Sequence, residues 1–252
     1  MCSWSANVLT LGCVMAATLG AQGFDWIPTY LRPFRIPQLF GVVGVEVGYA
    51  HVEDPRAITD GTLVCARYGS GSGAAVALRL GAEWWVQPDA SVVGGLCVRW
   101  VQSSSHAAGT TAPLVTGEML RTEYVLSTSR LGIGVQAAAK TRLVGRYGWA
   151  SVGLEATVYS PGRSTQMERV LEPSWYFFAT TPPSKQVQIA SSVSSGSDAL
   201  VLLKASVGYD LSLAVGWYCS PSVEVAVPVT LNAGNYRLWR IGIALPVAFS
   251  FP

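Results

Sequence analysis

The feature that most constrains this chain is a period-two alternation repeated in eight long runs, at about 40–52, 74–86, 91–102, 129–143, 148–159, 199–217, 222–232 and 237–251. Such alternation marks a β-strand whose two faces meet different surroundings. In the first run one face is Val43, Val45, Val47 and Tyr49. In the last it is Trp239, Ile241, Ile243, Leu245, Val247, Phe249 and Phe251. Eleven charges fall on the opposite parity: Glu46, Arg79, Glu83, Arg99, Lys140, Arg142, Glu155, Lys204, Asp210, Glu224 and Arg240. Glycines such as Gly44, Gly48, Gly132, Gly134, Gly208 and Gly242 join them there.

Alternation alone fits two architectures. In a soluble sandwich the apolar faces look inward and the charges meet water. In a membrane barrel the apolar faces meet lipid and the charges line the lumen. Three features favour the barrel. Connections after the second, fourth and sixth runs are short (87–90, 144–147 and 218–221), as is the last at 233–236, whereas those after the first, third and fifth are long (53–73, 103–128 and 160–198). Alternating short and long connections place the short turns at one end, as in bacterial outer-membrane barrels. On the apolar face, Trp84, Trp217 and Phe251 fall at the short-turn end, and Tyr49, Trp100 and Trp239 at the other. Two such girdles suit the two lipid–water interfaces. Finally, runs of twelve or more residues exceed the ordinary strand of about five or six and suffice for a tilted span of about 9–11.

Composition agrees. Charged residues make up 13% of the chain, against about 25% in ordinary soluble domains. The formal net charge of +2 forms no basic stripe, so nucleic acid is not an expected partner. The one long uncharged apolar stretch is Met1–Phe24. Its apolar segment Val8–Leu19 precedes small residues, with Ala21 and Gly23 at −3 and −1 of a cut before Phe24, which reads as a signal peptide spanning 1–23. Residues 24–39, with three prolines, read as a periplasmic segment or partial plug, and 40–252 as the barrel. Of five cysteines, Cys65, Cys97 and Cys219 survive that cut, at spacings unlike a zinc or redox site. No metal and no cofactor are expected.

The pattern resembles eight-stranded outer-membrane barrels of the OmpW and OmpA kind. The resemblance rests on the eight runs, three long loops and the final strand Trp239-x-Ile241-x-Ile243-x-Leu245-x-Val247-x-Phe249-x-Phe251. That strand looks like the terminal signal read by the barrel-assembly machinery, although Pro252 follows the aromatic here. The tryptophan- and cysteine-bearing composition is also similar to that of spirochaete outer-membrane barrels. The implied fold is a closed eight-stranded antiparallel up-and-down transmembrane β-barrel in a bacterial outer membrane. The implied partners are membrane lipid, the assembly machinery, and a small hydrophobic ligand or a host molecule. The OmpW likeness implies a passive channel for small hydrophobic or amphipathic molecules. The OmpA likeness implies a structural or host-interacting surface protein. A lipid-modifying enzyme is a third reading, but the His-x-Ser spacing of outer-membrane deacylases is missing around His51 and His106, so no enzymatic activity is expected.

Sorted by depth, Arg99, Lys204 and Arg240 are expected near the long loops. Glu46, Arg79, Glu155 and Asp210 are expected mid-barrel, and Glu83, Lys140, Arg142 and Glu224 near the short turns. Either these charges pair and fill the lumen, since buried charge must be paired, or the first three form a basic outer vestibule that draws in anionic or amphipathic ligands. In the loop 160–198, Trp175, Tyr176, Phe177 and Phe178 form a candidate partner site or lid.

Overall fold

The structure is a computed structural model that describes residues 39–53, 68–87, 89–143, 147–193, 198–214, 216–229 and 237–250. The expected leader 1–23, the segment 24–39 apart from Leu39, and Phe251 lie outside the described residues.

The strands are β1 (Leu39–Glu53), β2 (Gly71–Gln87), β3 (Ala90–Pro113), β4 (Met119–Arg142), β5 (Gly148–Tyr159), β6 (Arg163–Glu172), β7 (Gln186–Val193), β8 (Asp198–Tyr209), β9 (Leu211–Ala214), β10 (Trp217–Cys219), β11 (Ser222–Pro228) and β12 (Arg237–Ser250). Neighbours run β1-β2-β3-β4-β5-β8-β11-β12, and β12 pairs back to β1, from Phe40↔Ser250 to Glu53↔Arg237. All these pairings are antiparallel. The short strands β9 and β10 pair with each other below β8 and β11, and β10 also pairs β12. The result is a closed eight-stranded all-β barrel.

Side-chain environment follows parity. Leu78 and Ile133 are 62% and 63% exposed on the outer wall, whereas Arg99 and Glu155 in the lumen are 0% exposed. A closed sheet leaves no strand edge in hydrocarbon, where an unpaired backbone group costs several kcal/mol, on the order of its full desolvation. The exposed outer face of Val, Leu, Ile, Tyr and Trp is thus the surface of a membrane-spanning barrel, with aromatic residues towards both ends. Trp84 and Trp217 are exposed near the short turns, and Tyr49 and Trp100 near the other end. Trp239 packs against Tyr49 and His51, with ring centroids 6.2 and 4.8 Å away.

The structure departs from the sequence expectation in two places. Residues 103–128 are largely strand rather than loop, and 160–198 contain a two-stranded hairpin. β3 and β4 run on together beyond the barrel wall, from Gln102↔Ser129 to Pro113↔Met119. β6 pairs the upper part of β4, and β7 pairs β6. Away from lipid both faces can be polar, so the period-two contrast fades while the backbone ladder continues. The third short turn also sits elsewhere, between Ala214 and Trp217 rather than at 218–221. Gly216 there has φ +76°, a left-handed conformation that glycine adopts without penalty. Tyr218 and Cys219 therefore belong to a strand. Pro221, which has no N–H to give a ladder, interrupts that strand, and its carbonyl accepts from Tyr209 N at 3.1 Å.

Candidate functional site

The lumen holds the predicted site residues in three tiers. The central tier is one connected ion network. Arg79 is held between Glu46 and Glu224, donating from Nη1 to Glu224 Oε1 at 2.7 Å. Arg99 bridges Glu46 Oε1 at 2.8 Å and Glu155 Oε2 at 3.0 Å. Arg240 donates to Glu155 Oε1 at 2.8 Å. Lys204 reaches Glu224 Oε2 and Gln136 Oε1, each at 3.0 Å. Thr157 Oγ1 also donates to Glu155 at 3.0 Å. Seven charges from β1, β2, β3, β5, β8, β11 and β12 thus converge at one level. Each comes from the inward parity of its strand, and each is buried.

Towards the long loops this network is covered by an apolar layer: Ala50, Val52, Ala75, Val101, Tyr159, Leu200, Leu202, Ala226 and Leu238. Arg130, which the sequence reading passed over, lies above Tyr159 at 5.7 Å from its ring centre and bonds Asp198 at 2.7 Å.

The third tier lies at the short-turn end. Lys140 Nζ bonds both oxygens of Asp210, at 2.9 and 3.1 Å, and stands 3.2 Å from Glu83. The same ammonium faces the rings of Trp149, Trp85 and Tyr218 at 4.6, 5.4 and 5.4 Å. Cations over aromatic faces gain most when desolvated. Glu83 accepts from Ser91 Oγ at 2.6 Å and from the Tyr218 hydroxyl, and Asp210 accepts from Ser220 Oγ at 2.5 Å. Arg142 lies over Trp85 at 4.6 Å. Phe40, Trp85, Tyr218 and Ala248 close this end, with Phe40 edge-on to Tyr218 at 5.2 Å.

The expected depths are therefore corrected. Arg99, Lys204 and Arg240 do not form a basic vestibule at the long-loop mouth. They sit in the central network with carboxylate partners, beneath an apolar cover. Glu224 belongs to that network rather than to the short-turn end, and Asp210 belongs to the short-turn tier rather than to mid-barrel. Trp85, Trp149 and Tyr218 were missed as lumen residues. For Trp85 and Trp149 the signal was present, since each shares parity with a charge of its own strand, Glu83 and Glu155; Tyr218 falls in the expected turn 218–221 and carried none.

Between the central and lower tiers lies a small cavity of about 80 Å³, walled by Arg79, Lys204 and Glu224 above and by Glu83, Lys140, Trp149 and Tyr218 below.

Outside the wall, the predicted aromatic segment lies between β6 and β7. Trp175 and Phe177 are exposed, and Tyr176 packs against both Trp175 and Phe178 at 6.2 Å. Trp175 Nε1 donates to Glu118 Oε2 at 2.8 Å, tying this segment to the turn between β3 and β4. Val115, Met119 and Leu171 are exposed on the same elements. His106 Nδ1 lies 3.4 Å from Glu123 Oε2.

No family model matches the chain, and no curated protein matches it. Among solved structures it is similar to outer-membrane proteins. Ail, the attachment invasion locus protein of Yersinia pestis, is 12% identical over 83% of this chain and 99% of its own, with a TM-score of 0.30. Neisserial surface protein A is 11% identical over 84% and 97%, at 0.36. OprG of Pseudomonas aeruginosa is 10% identical over 84% and 97%, at 0.32. Likeness at this level transfers no residue role and no activity.

Proposed function

We propose that this chain is a bacterial outer-membrane surface protein whose barrel anchors rather than conducts, and whose hairpins β3–β4 and β6–β7 present a contact surface outside the cell. The observation that carries this reading is the occluded lumen. A water-filled channel keeps its lining charges wetted, yet Arg99 and Glu155 are 0% exposed and Arg240 is 2% exposed. An apolar layer covers them on one side and an aromatic cluster closes the short-turn end. The passive-channel role expected from the OmpW likeness would need ion pairs of this interlocked network to part. Separating one buried charge from its partner costs about 3–5 kcal/mol.

The tips of the hairpins supply the complementary feature. Trp175, Phe177, Leu171, Val115 and Met119 are exposed together on the distal elements, and exposed apolar groups framed by polar strands mark contact sites. Host molecules and other cell-surface partners are the class of ligand this arrangement suits. In this reading membrane lipid holds the outer wall, and β12 presents its alternating apolar residues to the assembly machinery.

The deciding experiment is single-channel recording of the purified full chain in planar bilayers. The expected result is a stable baseline with no discrete steps, with or without small amphipathic solutes. Regular conductance steps, or accelerated entry of small hydrophobic solutes into loaded vesicles, would restore the transport role.

A further inference from the structure

We propose that the cavity between the two charged tiers is a binding site for a small, largely apolar molecule bearing one hydrogen-bond acceptor group, a short-chain carboxylate being the type case. This goes beyond the surface role and does not depend on it.

The inference starts from a mismatch in hydrogen bonding. Trp149 and Ser222 both line the cavity, both are 5% exposed, and Trp149 Nε1 and Ser222 Oγ have no hydrogen-bond partner among the described residues. Buried donors without partners are rare and costly, and each calls for an explanation. These two are neighbours by construction. Trp149 pairs with Gly208 across β5 and β8, and Gly208 pairs with Ser222 across β8 and β11. A Cβ on Gly208 would lie 2.5 Å from the Trp149 ring and 2.8 Å from Ser222 Cβ. Glycine at this position is thus what lets the indole lie across the strand towards the serine.

The carboxylate and amide acceptors on the cavity wall are already taken. Glu83 is held by Ser91, Tyr218 and Lys140, and Glu224 by Arg79 and Lys204. Gln136 Oε1 is held by Lys204, and Ser206 Oγ accepts from Ser151 at 3.2 Å. What Trp149 Nε1 and Ser222 Oγ lack is an amide or carboxylate acceptor that is not already held by another side chain. Across the two tiers that bound the cavity, the six cations Arg79, Arg99, Lys140, Arg142, Lys204 and Arg240 face the five carboxylates Glu46, Glu83, Glu155, Asp210 and Glu224, an excess of one positive charge that suits an anionic acceptor better than a cation. The rest of the wall is apolar or small, including Val42, Val93, Ala138, Pro246 and Ala248, which suits a short hydrocarbon tail. Such a combination, apolar walls with a few placed polar groups, is the ordinary make-up of a small-molecule site.

The test uses the full chain folded into lipid nanodiscs, with ¹⁵N-labelled indoles and hexanoate as the probe. The Trp149 indole resonance is assigned by its loss in Trp149→Phe. It is expected to move saturably with hexanoate and to stay fixed with hexylammonium. Trp149→Phe keeps a ring but removes the donor, and is expected to weaken hexanoate binding about tenfold, the equivalent of one lost hydrogen bond to a charged group. Ser222→Ala is expected to weaken it about fivefold, and it keeps the test open if the tryptophan variant fails to fold. The proposal is overturned if the resonance does not move up to the solubility of hexanoate, or if hexylammonium moves it equally. It is also overturned if a persistent water contact at the indole N–H is undisturbed by hexanoate, which would make the occupant water alone.

Discussion

The lower and upper halves of β3 form one continuous strand in two solvents. In the lower half Val92, Leu96, Val98 and Trp100 face outward and exposed, while Cys97, Arg99 and Val101 are buried. In the upper half the buried residues are Ser103, Ser105 and Ala107, and Gln102, His106 and Ala108 face outward. The ladder to β4 runs through both halves, with an irregularity only between Ala108 and Thr111. Backbone pairing is thus indifferent to the medium, whereas side-chain contrast is imposed by it. Hydrocarbon rejects polar outward residues and forces charges inward; water makes neither demand. The cost of an error should change sharply along a single strand.

The sharpest contrast is between two arginines. Arg99→Met removes the buried cation that bridges Glu46 and Glu155, leaving Arg79 to hold the first and Arg240 the second, and we expect a loss of about 3–5 kcal/mol in urea unfolding from lipid vesicles. Arg121→Met, in the upper part of β4, removes an exposed pair with Glu172 at 3.5 Å and should cost no more than about 0.5 kcal/mol. Equal losses would break the comparison. Next comes the outer wall. Ile133→Arg puts a cation against lipid and should cost about 2–4 kcal/mol, while Ala108→Arg, outward on the extension, should stay within about 0.5 kcal/mol by the same measurement. A smaller effect tests the relocated turn. Gly216→Ala forces a side chain into a left-handed position and towards Ser250 Oγ, with an expected cost of about 1–2 kcal/mol. The smallest lies at the distal tip. Trp175→Phe deletes the bond to Glu118 and should leave global unfolding unchanged within about 0.5 kcal/mol, yet hasten protease cleavage between β6 and β7. A large global loss would mean that the extension stabilises the barrel as a whole.

The barrel was legible because lipid writes its demand into every second residue. Parity put Val43 to Tyr49 and Trp239 to Val247 on one face and Arg99 or Glu155 on the other, and loop lengths and aromatic placement turned the first face outward. Depth was not legible in the same way. Asp210 and Glu224 were assigned each other's tiers because depth depends on where the turn falls and on how strands are staggered around the ring, and neither is contained in a period of two. Moving the turn from 218–221 to Gly216 gives Tyr218 to a strand and brings its hydroxyl to Glu83. Trp85 and Trp149 were passed over for another reason. An aromatic on the charged parity looks like an exception, but a lumen closed to water favours a ring beside Lys140. The strands beyond the wall were invisible because Ser103 to Thr111 carry no alternation, although Ser and Thr support an extended backbone well enough.

The seam between β1 and β12 has a consequence for biogenesis. The first and last described strands are each other's partners, so β1 keeps one bare row of amide and carbonyl groups until the final strand has been delivered. A partly assembled sheet entering lipid would carry that raw edge into a medium with nothing to bond it. Closing the seam before or during insertion avoids that exposure, and damage to β12 would be felt directly along β1.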